Sequence, residues 1–275
     1  MKKIIALALI SLVLVGSLVA STIVIKGSNT VYPIAQLWAE DFKAMNPEVE
    51  ISIEGAGSST GYKALLEGQA DIADASRWIK SKEVVAMNEA GKLFVPFIVA
   101  YDGIAVIVNP ELGIENITIE QLGEIYSGKL GSWKNLDDSL DNKRIVVYSR
   151  DNASGTYEYF TETVLGDERL APQVQMLPST NAIVEQVSQN KYAIGYIGMG
   201  YLTDTVTGLA VEGVLPTVAN VNSGTYPISR PLFMWVDGTN GLPEGKVMDF
   251  IKYALTPEGQ ARTLDAGYVN AYGIE

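Results

Sequence analysis

Apolar positions along the chain form short runs typical of strands, and these runs lead into polar loops and then into apolar residues at helical spacing. Ile23–Ile25, Val49–Ile53 and Arg144–Ser149 carry the β-branched or alternating pattern of strands. After each of them the chain continues with glycine, serine, threonine or asparagine before a helical pattern begins. We therefore predict three units of strand, hydroxyl-rich loop and helix.

The loop Gly55–Gly61 belongs to the central unit and is rich in glycine and hydroxyl groups. Its backbone N–H groups, its hydroxyls and the positive end of the following helix dipole meet at one point, and this combination binds anions. A plain N-cap by Ser58 or Ser59 is the alternative for this loop taken alone. The presence of two similar loops favours the anion-binding interpretation.

The other two units add further candidate donors. In the first unit, Ser28–Thr30 stands before the helix, and Pro33 suits the first helical turn. In the third unit, Ser154–Thr156 stands at the helix start, and the guanidinium of Arg150 can reach over the same point in bidentate fashion. The third unit therefore predicts the most specific anion site.

A further polar strand end is predicted over Ala70–Arg77, which closes on Ser76 and Arg77. An arginine at the carboxyl end of a strand points into the crevice where α/β sheets bind ligands. A surface arginine that opens the next loop is the alternative here.

Two apolar stretches predict the places where the chain passes between two lobes. Phe94–Val99 and Ile104–Val108 are strand patterns interrupted by Tyr101–Gly103, and two strands with so little between them indicate a first crossing. Tyr226–Trp235 is long, apolar and interrupted by prolines, and it predicts the return. The predicted fold is α/β with two lobes, each a mixed sheet flanked by helices, and helix N-termini converge on the cleft between them.

The first residues have the layout of a secretory signal, because Lys2-Lys3 precedes the apolar run Ile4–Val15 and the small residue Ala20 offers a cleavage point. This layout predicts export to the periplasm or the cell surface. No charged residue follows until Lys26, so anchoring through an uncleaved segment is the alternative. The predicted divisions are a signal peptide or membrane anchor over 1–20, lobe I over 21–100 and 228–275, and lobe II over 101–227.

Composition narrows the chemistry. The 275 residues are 47% apolar, enough for a buried core, and the net charge of −12 argues against nucleic acid as a partner. That charge is compatible with anion capture, because surface charge is screened over about 8–10 Å while donors in a cleft act at contact range. With no cysteine and no histidine, the chain has no disulfide, no Ser-His-Asp triad and no imidazole-bound zinc. We therefore expect no catalytic residue, metal or cofactor.

The order of these motifs resembles the phosphate-binding protein of the bacterial and archaeal phosphate ABC importer, a type II periplasmic-binding-protein fold. The resemblance spans essentially the whole chain after the leader. It rests on the following stretches, which fall in family order: Gly27–Pro33, Gly57–Gly61, Ala70–Ile72 with Ala75–Arg77, Arg150 with Ser154–Thr156, and Gly259-Gln260 with Gly267–Val269.

The resemblance implies a set of phosphate ligands, one group from each loop. The implied ligands are Thr30 and the Val31 amide, Ser58, and Arg150 with Ser154, Gly155 and Thr156. The chain departs from the family at Arg77, because well-known members have an aspartate at the aligned position. That aspartate accepts the proton that phosphate still carries, whereas sulfate offers no proton. Other members of the family also carry Ala/Ser-Ser-Arg here, so the departure need not change the ligand.

We hypothesise that Asp102 supplies the missing proton acceptor, while Arg77 adds a second cation and Ser76 a further hydroxyl. Asp102 is an acid in an otherwise apolar stretch, where carboxylates are rare without a partner. The alternative is that Asp102 pairs with Arg77 or Arg150 in a purely structural role. Asp71 and Asp74 are weaker candidates, because they lie before the carboxyl end of their strand.

The resulting prediction is an exported, non-enzymatic and monomeric receptor that closes two lobes around inorganic phosphate. It would deliver the phosphate to the membrane permease of an ABC importer. The alternatives are the same fold with another oxyanion, such as sulfate, molybdate or tungstate, and a surface phosphate sensor subunit. An enzyme acting on phosphate esters is disfavoured by the lack of histidine and cysteine.

Overall fold

The structure is a computed structural model that describes residues 21–272. The predicted signal peptide or membrane anchor over 1–20 lies outside the described residues. Within residues 21–272, none of the helices combines the length and the apolar character that a membrane span requires.

Most of the strands are short, and one is far longer than the others. In chain order they are β1 (Ser21–Gly27), β2 (Val49–Gly55), β3 (Ile72–Ala75), β4 (Phe94–Val108), β5 (Asn116–Ile117), β6 (Val146–Arg150), β7 (Gln175–Leu177), β8 (Ala193–Gly198), β9 (Thr207–Gly208), β10 (Ala210–Val211), β11 (Ser229–Asp237) and β12 (Val269–Asn270).

The α-helices lie between these strands, singly or in pairs. In chain order they are α1 (Tyr32–Met45), α2 (Ser58–Leu66), α3 (Ser81–Glu89), α4 (Ile119–Ser127), α5 (Trp133–Leu136), α6 (Gly155–Phe160), α7 (Thr180–Ser188), α8 (Val218–Asn222), α9 (Lys246–Ala254) and α10 (Pro257–Asp265).

The main sheet runs in the order β2-β1-β3-β11-β4-β8-β6-β7, with β12 and β9 alongside β4. Strand β4 is shared between two halves, because residues 94–103 pair with β11 and residues 104–108 pair with β8. We call the half from β2 to the first part of β4 lobe I, with α1, α2, α9 and α10 packed on it. The half from the second part of β4 to β7 is lobe II, with α4, α6 and α7. This two-lobed α/β fold with mixed sheets confirms the predicted class, while the division at residues 101 and 227 stays a prediction.

The predicted interruption of the first crossing at Tyr101–Gly103 is wrong, because β4 is one continuous strand of 15 residues. The backbone ladder to β11 continues through this segment, where Asp102 is the register partner of Arg230. A charged residue breaks the apolar pattern without breaking the strand, since its charge is paired inside the fold.

Helices cover both faces of the lobe I sheet. Helix α1 buries Ile34, Trp38 and Phe42 against the face that carries Ile25 and Ile72, because these side chains recur at helical spacing along one stripe. Helix α2 packs with Ala73 and Ala75 on the opposite face, as the alternation of side chains along β3 requires.

The three predicted units are present. Strands β1 and β2 are parallel, as are β6 and β8, and a short loop connects each of β1, β2 and β6 to the helix that follows. Because the carboxyl ends of parallel strands meet at one edge of a sheet, the starts of α1 and α2 lie together in lobe I. Helix α6 begins at the corresponding edge of lobe II.

Gly61 sets the distance between α2 and the sheet. A Cβ at this position would lie 2.6 Å from the carbonyl oxygen of Lys26 and 2.8 Å from the Cα of Gly27. Both atoms belong to strand backbone and cannot move aside as a flexible side chain would, so only glycine allows this approach.

We therefore expect Gly61→Ala to lower the free energy of unfolding by about 1–3 kcal/mol, since overpacking outweighs the helix propensity that alanine adds. Gly131→Ala is the matched control, because a Cβ there meets open space and its backbone needs no positive φ. Urea denaturation followed by circular dichroism measures both. Equal stability of the two variants would contradict the packing argument.

Candidate functional site

The loop between β1 and α1 is tied down by its own side chains. The Ser28 hydroxyl accepts hydrogen bonds from the backbone N–H groups of Thr30 (3.1 Å) and Val31 (3.4 Å). The Asn29 amide donates to the carbonyl oxygen of Gly55 at 2.9 Å, which joins this loop to the end of β2. The predicted donor Val31 N–H is therefore directed at Ser28, and the Thr30 side chain remains available to other partners.

The loop before α2 does not form the side-chain N-cap that was the alternative for Ser58 and Ser59. Helix α2 begins at Ser58 after Gly57, which has φ +122°, and no side chain caps it. The Ser58 hydroxyl instead accepts a hydrogen bond from the Ser76 backbone N–H at 3.1 Å and lies 3.4 Å from the Ser76 hydroxyl. The structure thus places two predicted site hydroxyls side by side in lobe I.

Helix α6 brings lobe II against these hydroxyls. Its N-cap is Ser154, whose hydroxyl accepts hydrogen bonds from the backbone N–H groups of Thr156 and Tyr157. A Cβ at Gly155 would overlap the hydroxyl oxygens of Ser58 and Ser76. Glycine at position 155 therefore lets the two lobes come into direct contact.

A buried polar cluster lies where the two lobes meet, beside β4 and the start of β11. We call it the Arg230 cluster; its members are Thr30, Asp102, Gly155, Thr156 and Arg230. The Thr30 and Thr156 hydroxyls are 2.8 Å apart, one from each lobe. The Arg230 guanidinium donates to Thr156 (2.9 Å), Thr30 (3.3 Å) and the Gly155 carbonyl oxygen (3.0 Å). One arginine at the start of β11 thereby contacts the helix starts of both lobes.

The carboxylate of Asp102 neutralises the charge of Arg230. Its Oδ2 accepts from Arg230 Nη2 at 3.0 Å and its Oδ1 accepts from the Met199 backbone N–H at 3.0 Å. Both charged side chains are fully removed from solvent. Burial raises the pKa of Asp102 to about 6, and the attraction of Arg230 opposes that rise. Asp102 therefore pairs with neither Arg77 nor Arg150, the two partners considered from the sequence.

Sequence reasoning missed Arg230. The sequence pattern that could have pointed to it is a charged residue within an apolar run, because Arg230 lies within Tyr226–Trp235. The same argument that singled out Asp102 in the first crossing applies to Arg230 in the second crossing.

Arg150 is buried, and the recorded hydrogen bonds of its guanidinium point away from the start of α6. Its nitrogens donate to the carbonyl oxygens of Leu177 (3.3 Å) and Pro178 (3.0 Å) and to the Thr180 hydroxyl (3.0 Å). Burial is the main cause that lowers the pKa of Arg150. Its predicted bidentate reach over Ser154 is not among these contacts, and its role as a ligand stays a prediction.

Arg77 is engaged by carboxylates. Its guanidinium donates to both carboxylate oxygens of Glu83, at 2.7 Å and 2.8 Å, and pairs with Glu158 through Nε. It also donates to the Ser59 hydroxyl at 2.9 Å. The geometry therefore does not favour Arg77 as a second cation for an anionic ligand.

Asp74 is a second buried acid close to the loops. It is 2% exposed, and its Oδ1 has no hydrogen-bond partner within the described residues. Burial alone raises its pKa well above the ordinary value. Asp74 lies on β3, between β1 and β11, and below the start of α1. Its backbone carbonyl oxygen accepts a hydrogen bond from the Ser28 N–H.

The arrangement suits the binding of a small oxyanion. Hydroxyls from two lobes, the starts of three helices and a guanidinium meet at the buried contact between the lobes, and such groups donate hydrogen bonds to anionic oxygens. Among residues 21–272, no group of acidic residues has the spacing to hold a metal ion.

Comparison with known proteins places the chain in a family. A family model described as a PBP superfamily domain matches residues 16–258. The phosphate-binding protein PstS of Staphylococcus epidermidis is 34% identical over 258 residues, covering 89% of this chain and 77% of the relative. This chain belongs to the PBP superfamily, among its phosphate-binding proteins. The family is the one that the motifs of the sequence predict.

Solved structures agree with this family. A protein from Clostridium perfringens, assigned as a phosphate ABC transporter substrate-binding protein and solved with bound phosphate, is 33% identical with a TM-score of 0.84, covering 91% of this chain and all of that one. An ABC-type phosphate transport receptor from Vibrio cholerae is 29% identical with a TM-score of 0.73, covering 90% of this chain and 99% of that one. The phosphate-binding fold predicted from the sequence is thus confirmed.

In this family member, the buried acid Asp74 predicts a pH dependence of stability. An acid whose pKa is raised by folding stabilises the fold fully below its ordinary pKa, and this contribution is lost as the pH rises. We expect Asp74→Asn to remove that loss. Between pH 4 and pH 7, the unfolding free energy of the wild type should then fall relative to that of the variant, by an amount on the order of 1 kcal/mol or more.

Urea denaturation at a series of pH values measures this difference. Asp102 and the other titrating groups are common to both proteins and cancel in the comparison. Parallel pH profiles of the two proteins would mean that Asp74 is ionised in the fold and would contradict its predicted neutral state.

Proposed function

We propose that this protein captures inorganic phosphate in the cleft between its lobes and delivers it to the membrane permease of an ABC importer. The observation that carries the proposal is the Arg230 cluster, in which hydroxyls of Thr30 and Thr156 from opposite lobes share one buried guanidinium. An oxyanion that accepts hydrogen bonds from both lobes would hold them together. Export before binding, as the N-terminal pattern predicts, is part of the same proposal.

The proposed ligand set combines hydroxyls, helix-start amides and arginine. It consists of Thr30, Val31, Ser58, Ser76, Arg150, Ser154, Gly155 and Thr156, with Arg230 added from its contacts. Dehydrating an anion is costly, and each hydrogen bond to a charged group returns about 1.5–3 kcal/mol. Micromolar binding requires about −8 kcal/mol net, so several such donors are sufficient. We propose a receptor rather than an enzyme, in keeping with relatives that are substrate-binding proteins.

The ligand itself is tested by calorimetric titration of the protein after it has been stripped of bound anion by unfolding and refolding. We expect tight 1:1 binding of phosphate that excess sulfate and molybdate do not displace. If another oxyanion released binding heat and phosphate released none, the assignment of the fold would stand and the proposed ligand would be wrong.

The role of the cluster hydroxyls is tested by Thr156→Val, which keeps the shape of the side chain and removes one donor. We expect phosphate affinity to fall by about tenfold or more, the value of one hydrogen bond to a charged group. Thr161→Val is the control, because the Thr161 hydroxyl lies one turn further along and donates to helix carbonyl oxygens. Equal affinities of the two variants would place the ligand elsewhere.

Discrimination between phosphate and sulfate is tested at Asp102. A carboxylate accepts the proton that phosphate carries, and we expect Asp102→Asn to lower the phosphate-over-sulfate preference by about tenfold. Because the pKa of Asp102 is about 6, the wild-type preference should also weaken below that pH. Competition titrations at two pH values measure both effects.

Asp71→Asn is the matched control for this experiment. The Asp71 carboxylate accepts from the Val24 backbone N–H at 2.8 Å, at the opposite end of β3 from the cleft. Circular dichroism confirms that both variants are folded. An unchanged preference in Asp102→Asn would leave Asp102 as a purely structural partner of Arg230.

A further inference from the structure

A second set of charged residues joins the two lobes at the rim of the cleft. We call it the Glu158 cluster; its members are Arg77, Lys80, Glu83 and Glu158. Arg77, Lys80 and Glu83 come from lobe I, between the end of β3 and the first turn of α3. Glu158 comes from α6 of lobe II and forms ion pairs with both Arg77 and Lys80.

The ion pairs of Arg77 in this cluster are shielded from water, while Lys80 is 33% exposed. The side chains of Arg77, Glu158 and Glu83 are 6%, 11% and 14% exposed. Charges that are this deeply placed are screened by salt far less than surface pairs, so their mutual attraction is stronger. The cost of removing them from water opposes that attraction. An exposed interlobe ion pair would contribute little.

The cluster is assembled unequally from the two lobes. Within lobe I, Arg77 is already held by Glu83, by the Ser59 hydroxyl and by the carbonyl oxygen of Trp78. These contacts persist when the lobes separate, because all of them lie in the same lobe. Glu158 has its ion-pair partners Arg77 and Lys80 across the cleft and loses both on opening. The pairing energy of Glu158 is therefore gained only in the closed arrangement.

Glu158 is connected to the proposed ligand site through a rigid element. Gly155 and Thr156 of the Arg230 cluster open the helix that carries Glu158. Residues two positions apart on a helix point to different sides, so α6 presents Thr156 to one cluster and Glu158 to the other. A movement of α6 away from lobe I must break both sets of contacts.

We propose that Glu158 is a positioning residue that holds the lobes closed and thereby slows the release of the ligand. Arg77 is the ion-pair partner of Glu158 in lobe I, is already held in place by its own lobe, and does not contact the ligand. The inference rests on the proposed function, since it assigns the residence time of phosphate to a contact outside the ligand site. A group that stabilises only the closed state raises affinity by the factor with which it shifts that equilibrium.

The release rate of phosphate tests the proposal. We expect Glu158→Gln to accelerate release by about fivefold or more, with the association rate nearly unchanged. Release is followed by stopped-flow fluorescence after mixing loaded protein with an enzymatic phosphate scavenger. Trp78 is the reporter, because it is 56% exposed, adjoins Arg77 in sequence and lines a cavity of about 720 Å³ together with Glu158.

Glu162→Gln is the matched control. Glu162 lies one turn beyond Glu158, is exposed and lines the same cavity, and it attracts Lys80 through space without the close ion pair that Glu158 forms. The substitution Glu162→Gln removes the same charge as Glu158→Gln, and the rate at which this variant releases phosphate should stay within about twofold of the wild-type rate. Lys80→Gln removes one of the two partners of Glu158 and should accelerate release by a smaller factor. Equal release rates of wild type and Glu158→Gln would overturn the proposal.

A second arm measures lobe closure without any anion. Because the chain contains no cysteine, Gln69→Cys in lobe I and Asp138→Cys in lobe II give a spin-label pair without background. In the phosphate-free protein, Glu158→Gln should shift the interlobe distances towards a separated state, and Glu162→Gln should not. Unchanged distances would overturn the role of Glu158. Failure of the wild type to bind phosphate would instead reject the proposed function, and the distance arm would still decide the role of Glu158.

Discussion

Asp102 on β4 and Arg230 on β11 are register partners at the boundary between the lobes, and both of their side chains are removed from water. Taking two charges out of water costs several kcal/mol per ion, and the cost is offset only when the geometry is good and the remaining polar atoms are paired. Here the Met199 amide, the Gly155 carbonyl oxygen and two threonine hydroxyls complete the pairing. Because these partners come from both lobes, the hydrogen bonds of this one ion pair fix how β4, β11, α1 and α6 meet.

The small residues around this ion pair allow the two lobes to come into contact. Gly155 brings the start of α6 against the hydroxyls of Ser58 and Ser76, and Gly57 lies close to the carbonyl oxygen of Ala153. A backbone hydrogen bond of 3.2 Å from Ser59 to Ala153 joins the lobes at the same level. The loops thus serve as contact surfaces between lobes as well as donors to an anion, and the cleft can close without burying an unpaired backbone group.

Local sequence carries the strand, loop and helix units, because hydrophobic period and helix-start residues are properties of neighbouring positions. The family and fold follow from those units. The partners of the charged side chains could not be predicted from neighbouring positions in the sequence. Arg230 and Asp102 are 128 positions apart, and the direction of Arg150 depends on Leu177 and Thr180, which other elements supply. The predicted strand break at Tyr101–Gly103 failed for the same reason, since a distant arginine makes Asp102 acceptable in a buried strand.

The continuous strand β4 determines what kind of hinge this molecule has. Its ladder partners change from β11 to β8 at the point where it leaves lobe I, while its own backbone runs on without a loop. Strands in sheets carry a twist about their own axes, so a change in the twist of β4 would turn one lobe against the other without any loop having to refold. A hinge of this kind would restrict the lobes to rotation about one strand, whereas a loop linker would allow them many relative orientations.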